Sequence, residues 1–264
     1  MKCKKIAFMN SKGGVGKSTS VFQVSGVLST MGEKVLIIDL DKQCDISYTM
    51  LRESPIEDIG FTMFDFMKGM VSPEDVVKKT YLRTRSKPEY LNIDVMPADV
   101  RFEHQELLTE VDIKDSLNKF IEENNYTWVL VDMPPSNKMI NEICFSQIVN
   151  YIVVPFSTDY SSVRAYGSLI ETWEKAKENN PDLHFLGVYL AKHSQHVAIH
   201  RQIKEKMSSF RDMYLDVCIP DKIEIQESYT YLKPISYYRK YSSSKKAYEE
   251  LVKALKKKIE LYDY

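Results

Sequence analysis

Residues 7 to 25 read AFMNSKGGVGKSTSVFQVS, and no other stretch limits the fold as strongly. An apolar run ends at Met9, and Gly13, Gly14 and Gly16 follow close together. From Lys17 onward, Val21, Val24, Leu28 and Met31 recur with helical spacing until Gly32 ends the segment. The predicted order is therefore strand, glycine-rich turn, helix. Glycines let such a turn fold so tightly that its N–H groups point inward, and the helix dipole adds positive potential at the same place. This is a cradle for phosphate oxygens. Lys17 is expected to reach the β- and γ-phosphates and Ser18 to ligate Mg²⁺, within a nucleotide-contacting run of Gly13, Gly14, Val15, Gly16, Lys17, Ser18 and Thr19. One lysine suffices for that task, so Lys12 demands a second role.

The rest of the chain repeats the alternation. The runs KIAFM, KVLIIDL, LNIDVM, TWVLVDM, YIVVP, FLGVYLA and LDVCI are continuous in Val, Ile and Leu, as strands buried on both faces are, and helix-length amphipathic segments separate them. The expected class is α/β: a mostly parallel, twisted sheet with helices on both faces, in one domain over residues 1–264. At 264 residues and 44% hydrophobic content a proper core is attainable. No run approaches the roughly 18 apolar residues of a membrane span, and the N-terminal segment does not resemble a signal peptide, so a cytoplasmic protein is expected. The polar stretch KKTYLRTRSKPEY reads as an exposed loop. Cys3, Cys44, Cys144 and Cys218 are scattered as reduced, mostly buried thiols would be.

Hydrolysis of a phosphate chain needs carboxylates at the ends of neighbouring strands. IIDLD supplies Asp39 and Asp41; WVLVDMPPS supplies Asp132.

With these residues in view, the chain resembles the ParA-type ATPases of the deviant Walker A class, which includes the DNA-partitioning ATPases and the cell-division regulator MinD. KGGVGKST matches the class loop outright, and the resemblance extends over nearly the whole chain. It implies that Lys12 acts across the interface of an ATP-bound homodimer, on the phosphates held by the partner. DLDKQCDIS resembles the second motif, in which Asp41 helps position the attacking water, but Lys42 and Cys44 stand where the family carries proline and glycine. VPFSTDYSSVRAYGSLIETW resembles part of the dimer face. In the closing segment Pro220 matches a proline beside the adenine. The implied ligands are ATP and Mg²⁺, the latter through Ser18, Asp41 and Asp132. The implied catalytic set is Lys12, Lys17 and Asp41. The chain begins at the first strand and so resembles members without an N-terminal helix-turn-helix domain.

The expected function is plasmid or chromosome partitioning: an ATP-bound dimer that binds nonspecific DNA, associates with the nucleoid, and is stimulated by a ParB-class centromere-binding protein. The alternative is a MinD-like membrane- or protein-positioning ATPase. The final helix carries Tyr248, Leu251, Val252, Leu255, Ile259 and Tyr262 on one face, a stripe that packs on a core more often than on a membrane. A bacterial tyrosine kinase lacks an equivalent of Lys12. An iron protein needs more cysteines than Cys144 near the seam. A module keeping ATP only as a structural ligand is opposed by Lys17, Ser18, Asp41 and Asp132. Net charge is −1, yet residues 233–264 hold nine Lys or Arg against four Asp or Glu. Asp221 and Glu224 replace residues that are often basic in the family, so DNA contact is expected from Lys222, Arg239, Lys240, Lys245 and Lys246 instead.

Overall fold

Seven of the apolar runs become strands, and an eighth strand lies where the sequence suggested a loop. In a computed structural model the described residues are 2–51, 60–82, 87–104, 111–135, 137–157, 160–194, 196–208 and 213–262, without the side chains of 160–166, 168 and 169. Their elements are β1 (Lys4–Phe8), α1 (Lys17–Thr30), β2 (Val35–Asp39), α2 (Asp45–Leu51), α3 (Met63–Met67), α4 (Pro73–Val76), β3 (Lys78–Leu82), β4 (Glu89–Met96), α5 (Lys114–Glu123), β5 (Trp128–Asp132), α6 (Lys138–Ile143), β6 (Tyr151–Ser157), α7 (Tyr160–Asn179), β7 (His184–His193), α8 (Ala198–Ser208), β8 (Tyr214–Pro220), α9 (Ile223–Thr230), α10 (Ile235–Tyr238) and α11 (Ser243–Glu260).

The strands form one sheet in the order β3-β4-β2-β5-β1-β6-β7-β8. Every pairing is parallel except β3 with β4. That exception corrects the expected loop at KKTYLRTRSKPEY: its first residues form an antiparallel edge strand. Thr80 is buried there, its hydroxyl donating to the Ile93 carbonyl at 2.7 Å, while Tyr81 packs on Tyr90. Lysines at 78 and 79 masked the strand in sequence, and charge is how an edge strand avoids pairing with other chains.

Alternate residues of the central strands feed two cores, one on each side of the sheet. Trp128 and Leu130 of β5 join Ile6, Phe8, Ile37, α1 and α11. Val129 and Val131 face the opposite way, toward Leu117, Phe120 and Phe145. Helix α1 is buried nearly all round rather than along one stripe, and Met31, expected on its apolar face, is instead an exposed C-terminal residue. Gly32 follows with φ 85° and ends the helix as predicted. At Gly26 the chain of α10 comes so close that an added Cβ would lie 2.1 Å from Pro234 Cβ. Gln23 ties α1 to both α10 and α9, accepting from Ile235 N–H at 2.6 Å and donating to Ser228 at 2.7 Å.

Tyr248, Leu251, Val252, Leu255 and Ile259 of α11 are buried against this core, each contributing about 1.5–3 kcal/mol. Tyr262 lies past the helix, partly exposed, with its ring stacked on His184 at 4.2 Å. The stripe is thus spent on packing. Among the described residues, no helix is long and apolar enough to cross a membrane.

Candidate active site

The sheet register builds the site. Phe8, the last residue of β1, pairs with Asp132 of β5, and Asp132 pairs on its other side with Asp39 of β2. The loop that follows β1 therefore rises beside two strand-end aspartates. Gly14 and Gly16 take φ of 72° and 94°, a left-handed backbone that side chains resist. Asn10 anchors the start of the loop: its amide donates to the Pro155 carbonyl at 2.8 Å and its Oδ1 accepts from Lys12 N–H at 2.9 Å. At the other end Ser20 N–H donates to the Gly16 carbonyl, opening α1.

Lys17 is 6% exposed and its ammonium donates to the Lys12 carbonyl at 3.3 Å. Burial lowers its pKa, against the pull of Asp132 and Asp41. Asp132 is fully buried, and neither of its oxygens has a hydrogen-bond partner among the described residues. Burial, then the neighbouring Asp39 charge, raises its pKa well above the usual carboxylate range; Ser18 and Lys17 act in the opposite direction. A buried, unsatisfied carboxylate beside a lysine and a serine hydroxyl is costly on its own and fits a hard divalent cation, which takes oxygen ligands.

Asp39 plays a different part from Asp41. Its Oδ2 accepts from the Ser47 N–H and hydroxyl at 3.0 and 2.6 Å, and its Oδ1 from Asp41 N–H at 3.0 Å. Burial still pushes its carboxyl up to about 7. It is the brace that shapes the turn into α2. Asp41 is more accessible and accepts from Gln43 N–H at 3.0 Å, while Cys44 N–H donates to the Asp41 carbonyl. Cys44 has φ 55°, a left-handed backbone that costs a non-glycine residue some strain, at the position where the sequence comparison expected glycine.

The loop, Asp41, Asp45, Pro135, Lys192 and Tyr229 enclose a cleft of about 290 Å³. A second cavity of about 380 Å³ opens beside it and shares Gly16, Thr19, Lys192 and Tyr229; Ile219, Pro220 and Ile225 give it an apolar wall. The two together have the form of a phosphate site joined to a flat apolar slot. Pro220, at the end of β8, lies in the slot. Lys192 and Tyr229 were not foreseen. Lys192, with φ 54°, donates to the Gly14 carbonyl at 2.7 Å and so props the loop from the far strand. A lysine at the end of the apolar run FLGVYLA was the one local signal available, and it does not reveal the Gly14 partner.

Lys12 lies next to a groove of about 580 Å³ that includes Asn10, Ser11, Pro134, Pro135, Phe145 and Lys175. The stretch expected at a dimer face, residues 154–173, falls partly outside the described residues.

The five expected DNA contacts gather around the start of α11. Lys222 donates to Ser243 at 2.6 Å, and Lys240 and Lys246 are exposed. Arg239 pairs with Glu227 at 3.5 Å. Lys245 is half-buried and bound to Glu249 at 2.6 Å, the least available of the set. Glu224, expected to repel phosphate, accepts a hydrogen bond from the Ser244 hydroxyl.

A profile of the AAA domain family, AAA_31, matches residues 3–185. The chain is 26% identical over 258 residues to the chromosome partitioning protein ParA of Caulobacter vibrioides, covering 94% of this chain and 92% of that one. It is 27% identical over 260 residues to the sporulation initiation inhibitor protein Soj of Bacillus subtilis, covering 95% and 97%. Among solved structures, a putative plasmid partition protein of Borrelia burgdorferi bound to AMPPNP superposes with a TM-score of 0.76 at 20% identity, over 97% of this chain and all of that one.

Proposed function

The chain belongs to the AAA domain family AAA_31 and aligns over nearly its full length with ParA and Soj, and from that footing we propose that it is an ATP- and Mg²⁺-dependent partitioning ATPase. Residues 1–264 act as one ATPase domain. The observation that carries the reading is the buried, unpartnered Asp132 carboxylate beside Lys17 and Ser18 at the mouth of the phosphate loop.

The loop N–H groups and Lys17 hold the phosphate chain. Ser18 and Asp132, with Asp41 nearby, would hold Mg²⁺, which would supply neutralising charge at the phosphates. Asp41, a half-buried carboxylate that lines the cleft beside the phosphate loop, orients water. The slot with Pro220 takes the adenine ring. Lys12 reaches across a homodimer interface formed over the groove beside Ser11, coupling ATP binding to dimerisation. The dimer binds nonspecific DNA through the basic cluster around α11, associates with the nucleoid in that state, and is stimulated by a ParB-class partner.

Burial of the α11 stripe favours this over a MinD-like membrane-binding role, because the residues that would insert into lipid already hold the core. Light scattering coupled to size exclusion tests the central claim. ATP with Mg²⁺ should convert monomer to dimer, and Lys12→Ala should abolish the conversion while retaining monomer ATP binding. A Lys12→Ala protein that still dimerises with ATP refutes the trans role.

A further inference from the structure

The segment SYTYLKPISYYRKYSSSKK interleaves aromatic and basic residues, and the fold collects them at one place. Ser242 N–H donates to the Arg239 carbonyl at 3.0 Å, closing a turn whose tip is Lys240 and Tyr241. Tyr241 is 97% exposed. One helix back, the rings of Tyr231 and Tyr238 stack with centroids 5.4 Å apart and planes at 23°; Tyr231 is 60% exposed. The Arg239 guanidinium lies 5.3 Å from the Tyr238 ring. Lys222 reaches the same turn through Ser243. The nearby acids are largely engaged: Glu227 accepts from Tyr238 at 3.2 Å and pairs with Arg239, and Glu224 accepts from Ser244, leaving Asp221 exposed beside Lys222.

A lone exposed tyrosine needs no explanation. Two exposed tyrosines, one prestacked on a third, set among cations are different. Phosphate contacts on a duplex need only the cations, since paired bases hide their faces in the stack. Aromatic rings among cations are what an unpaired strand uses, its backbone following the charge while its bases stack on the rings. We propose that the Tyr231, Tyr238 and Tyr241 rim, with Lys222, Arg239 and Lys240, binds single-stranded DNA and prefers it over a duplex of equal phosphate count. The proposal rests on the DNA-binding reading and deepens it, because it assigns the rings a task that charge alone does not perform.

The test is fluorescence anisotropy of the full chain with ATP and Mg²⁺, using a labelled oligothymidylate, an abasic strand of equal length and a random duplex. The oligothymidylate should bind at least several-fold tighter than the abasic strand. Tyr241→Ala should weaken it about tenfold, within the range of one lost base–aromatic stack, and alter duplex binding less than twofold. Tyr241→Trp should restore it. Lys240→Glu should weaken all three probes alike. Equal binding of abasic and normal strands, or equal losses on strand and duplex in Tyr241→Ala, overturns the stacking role. Duplex binding with none to the strand also overturns it, leaves the DNA-binding reading standing, and points the rim toward a protein partner. No binding to any probe removes both readings.

Discussion

The phosphate-loop end of the sheet and the basic turn before α11 are both rich in lysine, and they are built on opposite principles. At the loop, Lys17 is buried among carboxylates, and its position is dictated by strand register. Around α11, Lys240 and Lys246 stand in solvent and their neighbours are tied to serine or glutamate. A preorganised charge in a water-poor site is worth far more per contact than a screened surface charge, so single changes should be drastic in the first region and graded in the second.

The sharpest contrast is in ATP affinity. Lys17→Ala should weaken it about 100-fold, as charge-assisted hydrogen bonds of roughly 1.5–3 kcal/mol each are lost. Lys240→Glu should leave it within twofold by calorimetry; an equal loss there would break the distinction. Asp41→Ala comes next. Turnover should fall about 10- to 100-fold while ATP binding persists and the ATP-bound dimer accumulates, as expected of a residue that orients water. Unchanged turnover would move that role to another group.

A third difference should appear in pH dependence. The folded state raises the Asp39 carboxyl from 3.8 to about 7, so between those values it holds more proton than the unfolded chain. Stability of the nucleotide-free protein should therefore fall as pH rises through that window, by up to about 1.4 kcal/mol per pH unit. Denaturant melts of wild type and Asp39→Asn would test this, the variant giving the flatter profile. The smallest effects belong to the basic turn. Lys246→Ala should weaken binding to any DNA a few-fold and lower the salt slope by about one, whereas Lys245→Ala, starting from its pair with Glu249, should do less. The reverse order would show that the Lys245 pair opens on binding.

The same division decides what the sequence disclosed. Strands buried on both faces announce themselves by uninterrupted Val, Ile and Leu, which is why β1, β2 and β4 through β8 were legible, and glycines at 13, 14 and 16 mark a backbone few other sequences need. β3 was hidden because an edge strand carries charge. The work of Asp39 was hidden because an aspartate bracing Ser47 looks, in sequence, like one that meets a ligand. Lys192 reaches Gly14 across 178 positions of chain, a distance no local pattern spans. Around α11 the spacing gave the count of cations but not that Lys245 faces Glu249 or that Arg239 faces Glu227.

The side-by-side register of Phe8, Asp132 and Asp39 has a consequence for inherited variants of this protein. Because Phe8, Asp132 and Asp39 sit side by side at the ends of adjacent central strands, a core substitution that shifts one of them strains the ladder that holds the others. Alleles altered in Leu130 or Ile37 should thus lower the abundance of working molecules, through unfolding and proteolysis, while each surviving molecule hydrolyses at its normal rate.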